Sequence, residues 1–535
     1  MTQRVRKLAL GLLIALPALP WVWGACVRAS WATLGRDQGI FQYIGWAASS
    51  GQKAYRDVRD VNGPLTVLVH HVMLALGGGD EHRFRVLDLV LTAGTAALAG
   101  ACLPWLTRER GRERAASMAL AAVAVVLSQY LAYGYWDSAQ RESFFDAFVL
   151  ASMGLQWLAQ ARLRAREPSR NDWLLLAAAG AASIAPWFGK PTYAAFTVGQ
   201  LVALLADDVA PSRLRRLAVF AIGGAIGAAV PLLYLVAYGD VGAWARISFV
   251  DVPAMYRYIW PRPPSVILEL YRDAALWASI PAALVAVLVV TKRMPRAAIS
   301  LATFPIAGLA SAIAQAKGFP YHFHPVTLGA TFAILGLLDH AFTEIERLPV
   351  RVVAAALALA FGGRAGLVAS RAWWPEPHAD LHAFDRIDYF PVALREAAAL
   401  LDRETRPDET VQVYGMDPYL LFLAKRRSAT PYIYAYDLNV DAALHGSWDP
   451  GGLVPDDEAR RTIRAMRDEH ERDMVARMAA APPKAFVFIS KSPLMSYPDA
   501  LDDFRVHCPD AYRWLVLRYH EIADDGVVRV WLRNE

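Results

Sequence analysis

Apolar runs close to the length of a membrane-spanning helix recur along the chain as far as about residue 373. A helix of roughly 20 apolar residues crosses a bilayer, so these runs predict about eleven spans. The predicted spans are residues 8–25, 84–106, 116–133, 143–161, 173–189, 192–207, 216–238, 274–291, 297–315, 324–343 and 352–370. The first follows Arg4, Arg6 and Lys7 but has no small-residue cleavage site, so we expect it to remain as an uncleaved span.

One apolar stretch, from Pro64 to Gly77, is too short for a span and is followed by glycines. This length predicts an interfacial or re-entrant helix at the membrane surface.

Beyond residue 373 the pattern changes to alternating helix and strand signals at ordinary charge density. Helices are predicted at residues 393–403 and 456–480, and strands at 410–414, 431–436, 484–489, 514–519 and 527–532. The chain therefore divides into a multi-span module, residues 1–373, with a long first loop at 26–83, and a small α/β domain, residues 374–535. No Gly-rich phosphate loop, GxSxG elbow or HExxH motif occurs in the second part, which favours a substrate-binding or structural cap there.

Composition and charge support the membrane interpretation. The 535 residues are 56% apolar and 20% charged, with a net charge of +5. The basic residues are dispersed over short loops, which argues against nucleic acid as a partner and for positive-inside topology. Three well-separated cysteines suggest neither a zinc site nor a disulfide framework.

The distribution of Lys and Arg predicts an orientation. With a cytoplasmic N-terminus, the basic clusters fall in cytoplasmic loops, at residues 108–114, 162–170, 213–216, 292–296 and 347–351. The short loops on the other side then hold only Arg141, Lys190 and Lys317. Short-loop Lys and Arg resist translocation, so loop 26–83 and the C-terminal domain are predicted to be extracytoplasmic.

The first outer loop contains the most informative motif. It reads Gly35-Arg36-Asp37-Gln38, continues through Tyr43 to Tyr55-Arg56-Asp57, and ends at Gly63-Pro64-Leu65. It resembles the first extracytoplasmic loop of the GT-C glycosyltransferase superfamily, in the branch of protein O-mannosyltransferases and lipid A aminoarabinose transferases. Relatives there carry an Asp-Glu pair and a double proline; this chain has Asp37-Gln38 and Gly63-Pro64 instead.

Four further segments extend the resemblance in the expected order. They are Ala139-Gln140-Arg141-Glu142-Ser143-Phe144, Phe188-Gly189-Lys190-Pro191, Phe319-Pro320-Tyr321-His322-Phe323-His324-Pro325, and Val411 to Leu420 with Arg426-Arg427 and Ala429-Thr430-Pro431-Tyr432. Glu142 stands where the relatives carry a second acidic residue at the outer end of a span.

The resemblance implies a polytopic α-helical protein of GT-C type in a bacterial inner membrane, with a C-terminal extracytoplasmic α/β domain. It also implies transfer of a monosaccharide from a polyprenyl-phosphate donor to an envelope acceptor, with inversion at the anomeric carbon. Such a transfer requires a base, cations for the leaving phosphate and an apolar groove for the lipid.

The matching positions receive roles by the same resemblance. Asp37 is the expected general base, and Glu142 is a second catalytic acid. Four cations are expected to contact the donor phosphate because they fall on outer loops, and the preferred one is Lys190; the others are Arg141, His322 and Lys317. The donor or acceptor loop is assigned Arg36, Gln38, Tyr43, Tyr55, Arg56 and Asp57. The residues indicate no cofactor and no metal, although a divalent cation is compatible with them.

Other interpretations stay open. Glu142 is also placed to favour a helix N-terminus, and Lys190 to cap a turn. His322 and His324 form an HxH pair, a poor zinc signature by itself. The alternative enzymes are an O-antigen polymerase or ligase and an oligosaccharyltransferase. The early acidic motif at Asp37 argues against these ligases. A lipid-linked sugar transporter or flippase is the alternative outside enzymes, but no repeats or mid-membrane charges are evident.

Overall fold

The computed structural model describes residues 3–106, 111–207, 212–343, 345, 347–374, 381 and 388–535, with the backbone alone for residues 3–7 and 343. Two compact units are present. We call the first the membrane unit, formed by Met1–Ala32, Glu81–Leu232 and Pro264–Trp374. We call the second the α/β unit, formed by Thr33–Asp80, Leu233–Pro263 and Pro375–Glu535. The division into two domains at residue 373 stays a prediction. Each compact unit consists of three separate segments of the chain.

The helices, in chain order, are α1 (Gln3–Trp31), α2 (Arg36–Ser49), α3 (Pro64–Gly77), α4 (Glu81–Cys102), α5 (Arg112–Ala132), α6 (Gly134–Asp137), α7 (Arg141–Ala165), α8 (Arg170–Ile184), α9 (Ala194–Ala206), α10 (Arg213–Tyr238), α11 (Val241–Arg246), α12 (Val252–Ala254), α13 (Pro264–Leu270), α14 (Arg272–Val290), α15 (Ile299–Ala314), α16 (His324–Thr343), α17 (Leu348–Arg371), α18 (Pro391–Glu404), α19 (Tyr419–Ala424), α20 (Asp441–His445), α21 (Asp457–Ala480), α22 (Ala500–His507) and α23 (Pro509–Val516). The strands are β1 (Thr410–Tyr414), β2 (Arg427–Ser428), β3 (Ala485–Ile489), β4 (Tyr519–Asp524) and β5 (Val528–Arg533).

Eight helical segments among the described residues are long and apolar enough to cross a membrane. They are Leu8–Trp31, Glu81–Leu106, Arg112–Ala132, Arg213–Tyr238, Arg272–Val290, Arg296–Ala314, Pro320–Phe342 and Leu348–Arg371. The fold class predicted from sequence, a polytopic helical membrane protein with a small C-terminal sheet, is confirmed. The three other predicted spans, 143–161, 173–189 and 192–207, coincide with α7, α8 and α9, which fall short in length or hydropathy.

Small residues let the helices of the membrane unit approach closely. A Cβ on Gly11 of α1 would lie 2.1 Å from the carbonyl oxygen of Ser117 in α5, and one on Gly362 of α17 would lie 2.1 Å from the carbonyl oxygen of Ile14. Such small-residue contacts are typical of helix association in lipid. Large apolar side chains remain exposed on the outward faces, among them Trp23 and Val290, as expected of lipid-facing surfaces.

The α/β unit contains a five-stranded sheet in the order β2-β1-β3-β5-β4. β1 runs parallel to both β2 and β3, whereas β5 runs antiparallel to β3 and β4. β1, β3 and β5 confirm three of the predicted strands, and α18 and α21 confirm both predicted helices. The predicted short helix at Pro64–Gly77 is α3, with the proline at its first turn and Gly78 in the left-handed conformation after its end.

Two predicted strands are wrong. Residues 431–436 read as a strand because aromatic and β-branched residues alternate there, yet they form irregular backbone and a short 3₁₀ turn. Pro431 has no N–H for a ladder, and the aromatic side chains are held instead by tertiary partners: Tyr432 donates to Asp473 and Tyr434 to Asp60. Residues 514–519 were predicted as a strand, but α23 continues to Val516 and β4 begins only at Tyr519, because the apolar residues bury one helical face.

Candidate functional site

The predicted base, Asp37, lies in the first turn of α2, where its carboxylate faces the positive end of the helix dipole. Its side chain is half-buried, and it lies within electrostatic range of Arg36 and of the Tyr434 hydroxyl. Burial raises the pKa of Tyr434 well above its usual value, and the charges of Asp60 and Asp37 raise it further. Tyr434 is therefore a neutral hydroxyl facing two carboxylates, suited to donating hydrogen bonds.

Arg36, assigned from sequence to the donor or acceptor loop, is buried in an ion pair. Its Nε donates to Asp417 Oδ1 at 2.7 Å and its Nη2 to Asp417 Oδ2 at 3.3 Å and to the Asp388 carbonyl at 2.5 Å. Burial acts to lower the Arg36 pKa, but the neighbouring Asp417 outweighs it, so the pKa is raised. The guanidinium is thus a permanent charge that is already paired.

Gln38 and Tyr43 lie on the buried side of the same helix. Gln38, where the resembling proteins carry Glu, is fully buried, a place that a neutral amide tolerates better than a carboxylate. Tyr43 is also fully buried, and its hydroxyl accepts a 2.8 Å hydrogen bond from the Ser428 amide. Both side chains lie against the α/β unit's interior.

The segment Tyr55-Arg56-Asp57 forms a tight turn after α2. Tyr55 has a φ of 73°, a conformation that a bulky residue rarely adopts, and its hydroxyl donates to the Asn62 carbonyl at 2.8 Å. Arg56 and Asp57 pair at 2.8 Å near the surface. Although partial burial would raise the Asp57 pKa, hydrogen bonds from Arg56 and the Lys53 amide lower it, so this acid stays ionised.

Arg59 and its partners are functional candidates that the sequence interpretation missed. Arg59 is buried and donates at 2.7 Å both to Asp437 and to Asp251, while the neighbouring Asp60 accepts from Asn62 at 2.8 Å and from Tyr434 at 3.3 Å. The two carboxylates outweigh burial and raise the Arg59 pKa. These partners are distant in sequence, so no local pattern reveals them; the dense run Asp57-Val58-Arg59-Asp60 was the available signal.

In the membrane unit, three of the predicted residues meet around Glu142. This carboxylate is fully buried in the first turn of α7, and the Lys190 ammonium donates to its Oε1 and to Gln315 Oε1. His322 Nε2 lies 3.7 Å from the same Glu142 oxygen. Glu142 Oε2 is buried and accepts no hydrogen bond from any residue in the described ranges, so one acceptor lone pair of this carboxylate is unsatisfied.

The local sequence explains how Lys190 is placed. Gly189 packs on Phe145 so closely that a Cβ there would lie 2.0 Å from the ring. The Lys190 amide donates to the Pro186 carbonyl at 2.8 Å, and Pro191 begins the next 3₁₀ turn, Pro191–Tyr193. The Phe188-Gly189-Lys190-Pro191 motif is therefore a turn that fixes the lysine over α7.

The other two predicted cations belong to the same cluster. The Arg141 guanidinium lies 5.9 Å from the ring centroid of Tyr321, and the Lys190 ammonium lies 5.8 Å from it. Lys317 acts electrostatically on His322, as do Lys190 and Arg141. Burial lowers the Lys317 pKa to about 7. We call Arg141, Glu142, Lys190, Gln315, Lys317 and His322 the Lys190 cluster. In it the basic side chains outnumber the carboxylate that pairs with Lys190, an arrangement suited to an anion.

The predicted residues thus fall into two groups. Asp37 and its loop belong to the α/β unit, and the Lys190 cluster belongs to the membrane unit. Across the described part of the chain, no group of three or more His, Cys, Asp or Glu side chains is arranged to hold a metal ion.

Comparison with known proteins identifies the fold. The chain is similar to the ArnT structure from Cupriavidus metallidurans bound to undecaprenyl phosphate, with a TM-score of 0.52 and 14% identity over 97% of both chains. It is also similar to the apo oligosaccharyltransferase of Archaeoglobus fulgidus, with a TM-score of 0.49 and 13% identity over 100% of this chain and 74% of that one. No protein-family model matches the chain.

A curated relative matches part of the sequence. It is the dolichol phosphate-mannose mannosyltransferase of Haloferax volcanii, 29% identical over 83 residues, which are 16% of this chain and 18% of that protein. The chain therefore has the GT-C fold of membrane glycosyltransferases, and the resemblance found in its motifs is confirmed at the level of the fold. It is a multi-pass membrane protein.

Proposed function

We propose that this protein transfers a monosaccharide from a polyprenyl-phosphate donor to an acceptor of the cell envelope. The observation that supports this most directly is the Lys190 cluster, a set of basic side chains around a buried carboxylate on a GT-C fold. The ArnT structure was obtained with undecaprenyl phosphate, and the Haloferax relative is a dolichol phosphate-mannose mannosyltransferase, which supports a lipid-phosphate donor.

The proposed reaction is a single displacement. The acceptor hydroxyl oxygen attacks the anomeric carbon of the sugar, and the bond from that carbon to the phosphate oxygen breaks. Asp37 accepts the hydroxyl proton, and the polyprenyl phosphate leaves with the bonding electron pair. Attack opposite the leaving group inverts the anomeric configuration, and no sugar–enzyme bond forms.

The Lys190 cluster supplies the phosphate contacts in this proposal. Charge-assisted hydrogen bonds from Lys190 and Arg141 would strengthen as charge develops on the departing phosphate. Glu142 holds Lys190 in place, and its second oxygen accepts a donor-sugar or acceptor hydroxyl. Lys317 and His322 complete the contacts.

The partial exposure of Asp37 supports its role as the base. Asp37 is half-buried, whereas its neighbours Arg36 and Gln38 are buried. Tyr43, Tyr55, Arg56 and Asp57 shape the loop around it. We further propose a bacterial inner membrane, a cytoplasmic N-terminus and an extracytoplasmic α/β domain, in line with the Lys and Arg distribution.

Purified protein in liposomes, supplied with radiolabelled polyprenyl-phosphate sugar and an envelope extract, tests the proposal. We expect label to move to an extract component in the parent protein and not in Asp37→Asn. Asp502→Asn, which changes an exposed acid of α22 paired with Arg505, is the matched control. Full transfer by Asp37→Asn would overturn the role of the base, and movement of the intact labelled lipid across the bilayer without transfer would overturn the enzyme assignment in favour of a flippase.

The acceptor is found by mass spectrometry of envelope glycans with and without the protein. We expect one class of glycan to lose a single monosaccharide. Loss of a whole repeating unit instead would indicate a polymerase or ligase.

A further inference from the structure

The segment that carries Asp37 is bound, on both sides of that residue, to the C-terminal part of the same α/β unit. Arg395 of α18 donates to Thr33 Oγ1 at 2.8 Å, and the Tyr389 hydroxyl donates to the Leu34 carbonyl at 2.7 Å. On the other side, Tyr43 binds the Ser428 amide. Asp37 thus lies inside a stretch whose backbone is held by residues far along the chain.

The strongest of these contacts is adjacent to Asp37. Arg36 binds both oxygens of Asp417, and the two side chains are 8% and 2% exposed, so the pair is shielded from water and salt. Successive residues of an α-helix point about 100° apart, so fixing the Arg36 side chain also fixes the direction in which Asp37 points. Gly39, one turn on, packs against Tyr419, where a Cβ would lie 2.6 Å from the tyrosine Cβ.

The position of Asp417 in the sheet gives this contact a meaning. Asp417 lies just beyond the carboxyl end of β1, and the Met416 amide donates to Ser492 Oγ, beyond the carboxyl end of the parallel strand β3. The chain leaves β1 for β2 on one side, and β3 lies on the other, so this is a topological switch point. Open α/β sheets bind ligands at such points. Here the guanidinium of Arg36 takes the place of a ligand.

We infer that the sheet acts as an intrachain positioning device for the base, in which Asp417, through Arg36, sets the placement of Asp37. The inference rests on the proposed role of Asp37 in glycosyl transfer. Asp417 and Arg36 are positioning residues, because they act through the helix and through the local charge rather than on the substrate. The α/β domain is then part of the transfer machinery rather than a separate binding module.

The pair also balances the charge next to the base, which predicts opposite pH shifts in the two single variants. In Asp417→Asn the charge of Arg36 is no longer balanced by Asp417 and favours the ionised form of Asp37, so the acid limb of the kcat/KM profile moves to lower pH. In Arg36→Gln the Asp417 anion remains and the acid limb moves to higher pH. We expect shifts of about half a unit to one unit, the usual scale for one nearby charge.

The experiment measures liposome transfer activity, its pH profile and thermal unfolding for five proteins: the parent, Asp417→Asn, Arg36→Gln, the double variant Arg36→Gln/Asp417→Asn, and Asp503→Asn. Asp503 is the matched control, since it is a fully buried acid of the same sheet domain. It accepts hydrogen bonds from Tyr414, Asn439 and the amides of Ser496 and Tyr497, all of which lie outside α2. We expect kcat to fall about 10- to 100-fold in both single variants with the donor KM changed less than about twofold. The double variant should cost little more than either single one and should return the acid limb toward its original pH.

Several outcomes would overturn the inference. An unchanged kcat in the folded single variants would overturn it. An acid limb that keeps its pH in both single variants would also overturn it, because the pair would then contribute to stability alone. If the single variants do not fold, Arg36→Lys and Asp417→Glu replace them, because they keep both charges but lose the two-point geometry. We expect these variants to reduce kcat several-fold without moving the acid limb of the pH profile. Full activity in both would overturn the inference. A failure of the proposed function would be seen separately, because in that case Asp37→Asn would stay active whatever the result for the Asp417 variants.

Discussion

The ammonium group of Lys190 donates to the carboxylate of Glu142, a residue 48 positions earlier in the sequence. It also donates to the side-chain oxygen of Gln315, the residue that follows α15. The cation proposed to meet the donor phosphate is therefore positioned by an acid of the same cluster. Removing either partner takes away the opposite charge that the other one meets in a largely buried place, so single variants mix a structural and a chemical effect. This relationship decides how the phosphate contact has to be tested.

We predict that Lys190→Gln lowers kcat/KM for the lipid donor by about 100-fold or more, because it removes a charge-assisted contact to the leaving phosphate. It should also lower the unfolding temperature, since Glu142 loses its cation. The double variant Lys190→Gln/Glu142→Gln should recover much of the stability but not the activity. Kinetics and thermal unfolding on the same preparations separate the two effects.

The control for this prediction is Lys292→Gln, which removes an exposed lysine of the loop after α14. It should leave both measurements near those of the parent protein. Recovery of transfer in the double variant would show that Lys190 serves only to neutralise Glu142.

Lys317 predicts a pH dependence near neutrality. Burial lowers its pKa to about 7, so it is a cation below pH 7 and becomes neutral as the pH rises through that value. Phosphate affinity should therefore fall, and the donor KM rise, as the pH increases through about 7. Lys317→Arg keeps the charge and should remove this rise in the donor KM. If the KM still rises with pH in Lys317→Arg but no longer does so in His322→Asn, the effect belongs to His322.

The same shift has a consequence of opposite sign for stability. In the unfolded chain the Lys317 pKa is about 10.4, so between pH 7 and that value the unfolded state binds the extra proton. Stability against unfolding should then increase with pH across this window as far as Lys317 contributes. The comparison of thermal unfolding for the parent and Lys317→Arg between pH 7 and 9 isolates the contribution; an identical slope in both would contradict it.

The sequence predicted those features that depend on local pattern. Apolar runs located α1, α4 and α10, and alternation located β1 and β3, because periodicity and length are local properties. The strand predicted at residues 431–436 failed for a non-local reason, namely that Tyr432 and Tyr434 bind side chains elsewhere in the α/β unit. Tertiary contacts overrode local propensity there.

The candidate site follows the same division. The outer-loop motifs singled out Lys190 and Glu142, which the structure brings together. Arg36 was expected near the substrate, yet its partner Asp417 lies 381 residues away and was not foreseeable from a motif. Arg59 was missed for the same reason, since its two carboxylate partners come from separate segments.

Arg59 leads to a prediction about stability. It pairs at 2.7 Å with the buried acids Asp251 and Asp437, and Arg246 lies farther away, 3.8 Å from Asp251. Arg59→Met removes the close cation from both carboxylates and should cost about 3–5 kcal/mol. Arg59→Lys keeps the charge but not the two-point geometry and should cost less. Thermal unfolding in detergent measures both.

The neighbouring pair Arg56–Asp57 provides a matched control within the same loop. Arg56 is 52% exposed, so Arg56→Gln should change stability by less than about 1 kcal/mol. Equal losses in Arg56→Gln and Arg59→Met would contradict the difference in burial on which the prediction depends.

Gly39→Ala tests the placement of α2 without touching a charge. Alanine is normally the better helix residue, so the substitution would stabilise an unconstrained helix. Here the added Cβ would lie 2.6 Å from the Cβ of Tyr419, which has to shift or push α2 away. Because Asp37 is two residues earlier in the same turn, a displacement of about 1 Å should reduce transfer by up to about 100-fold with little loss of donor binding.

Gly242→Ala in α11, where the nearest neighbour of the added Cβ is at 3.4 Å, is the control and should retain activity. If the clash is what matters, the double variant Gly39→Ala/Tyr419→Gly regains activity relative to Gly39→Ala, since glycine removes both the Cβ and the ring atoms that the methyl group would meet. A double variant that is no more active than Gly39→Ala would contradict this explanation.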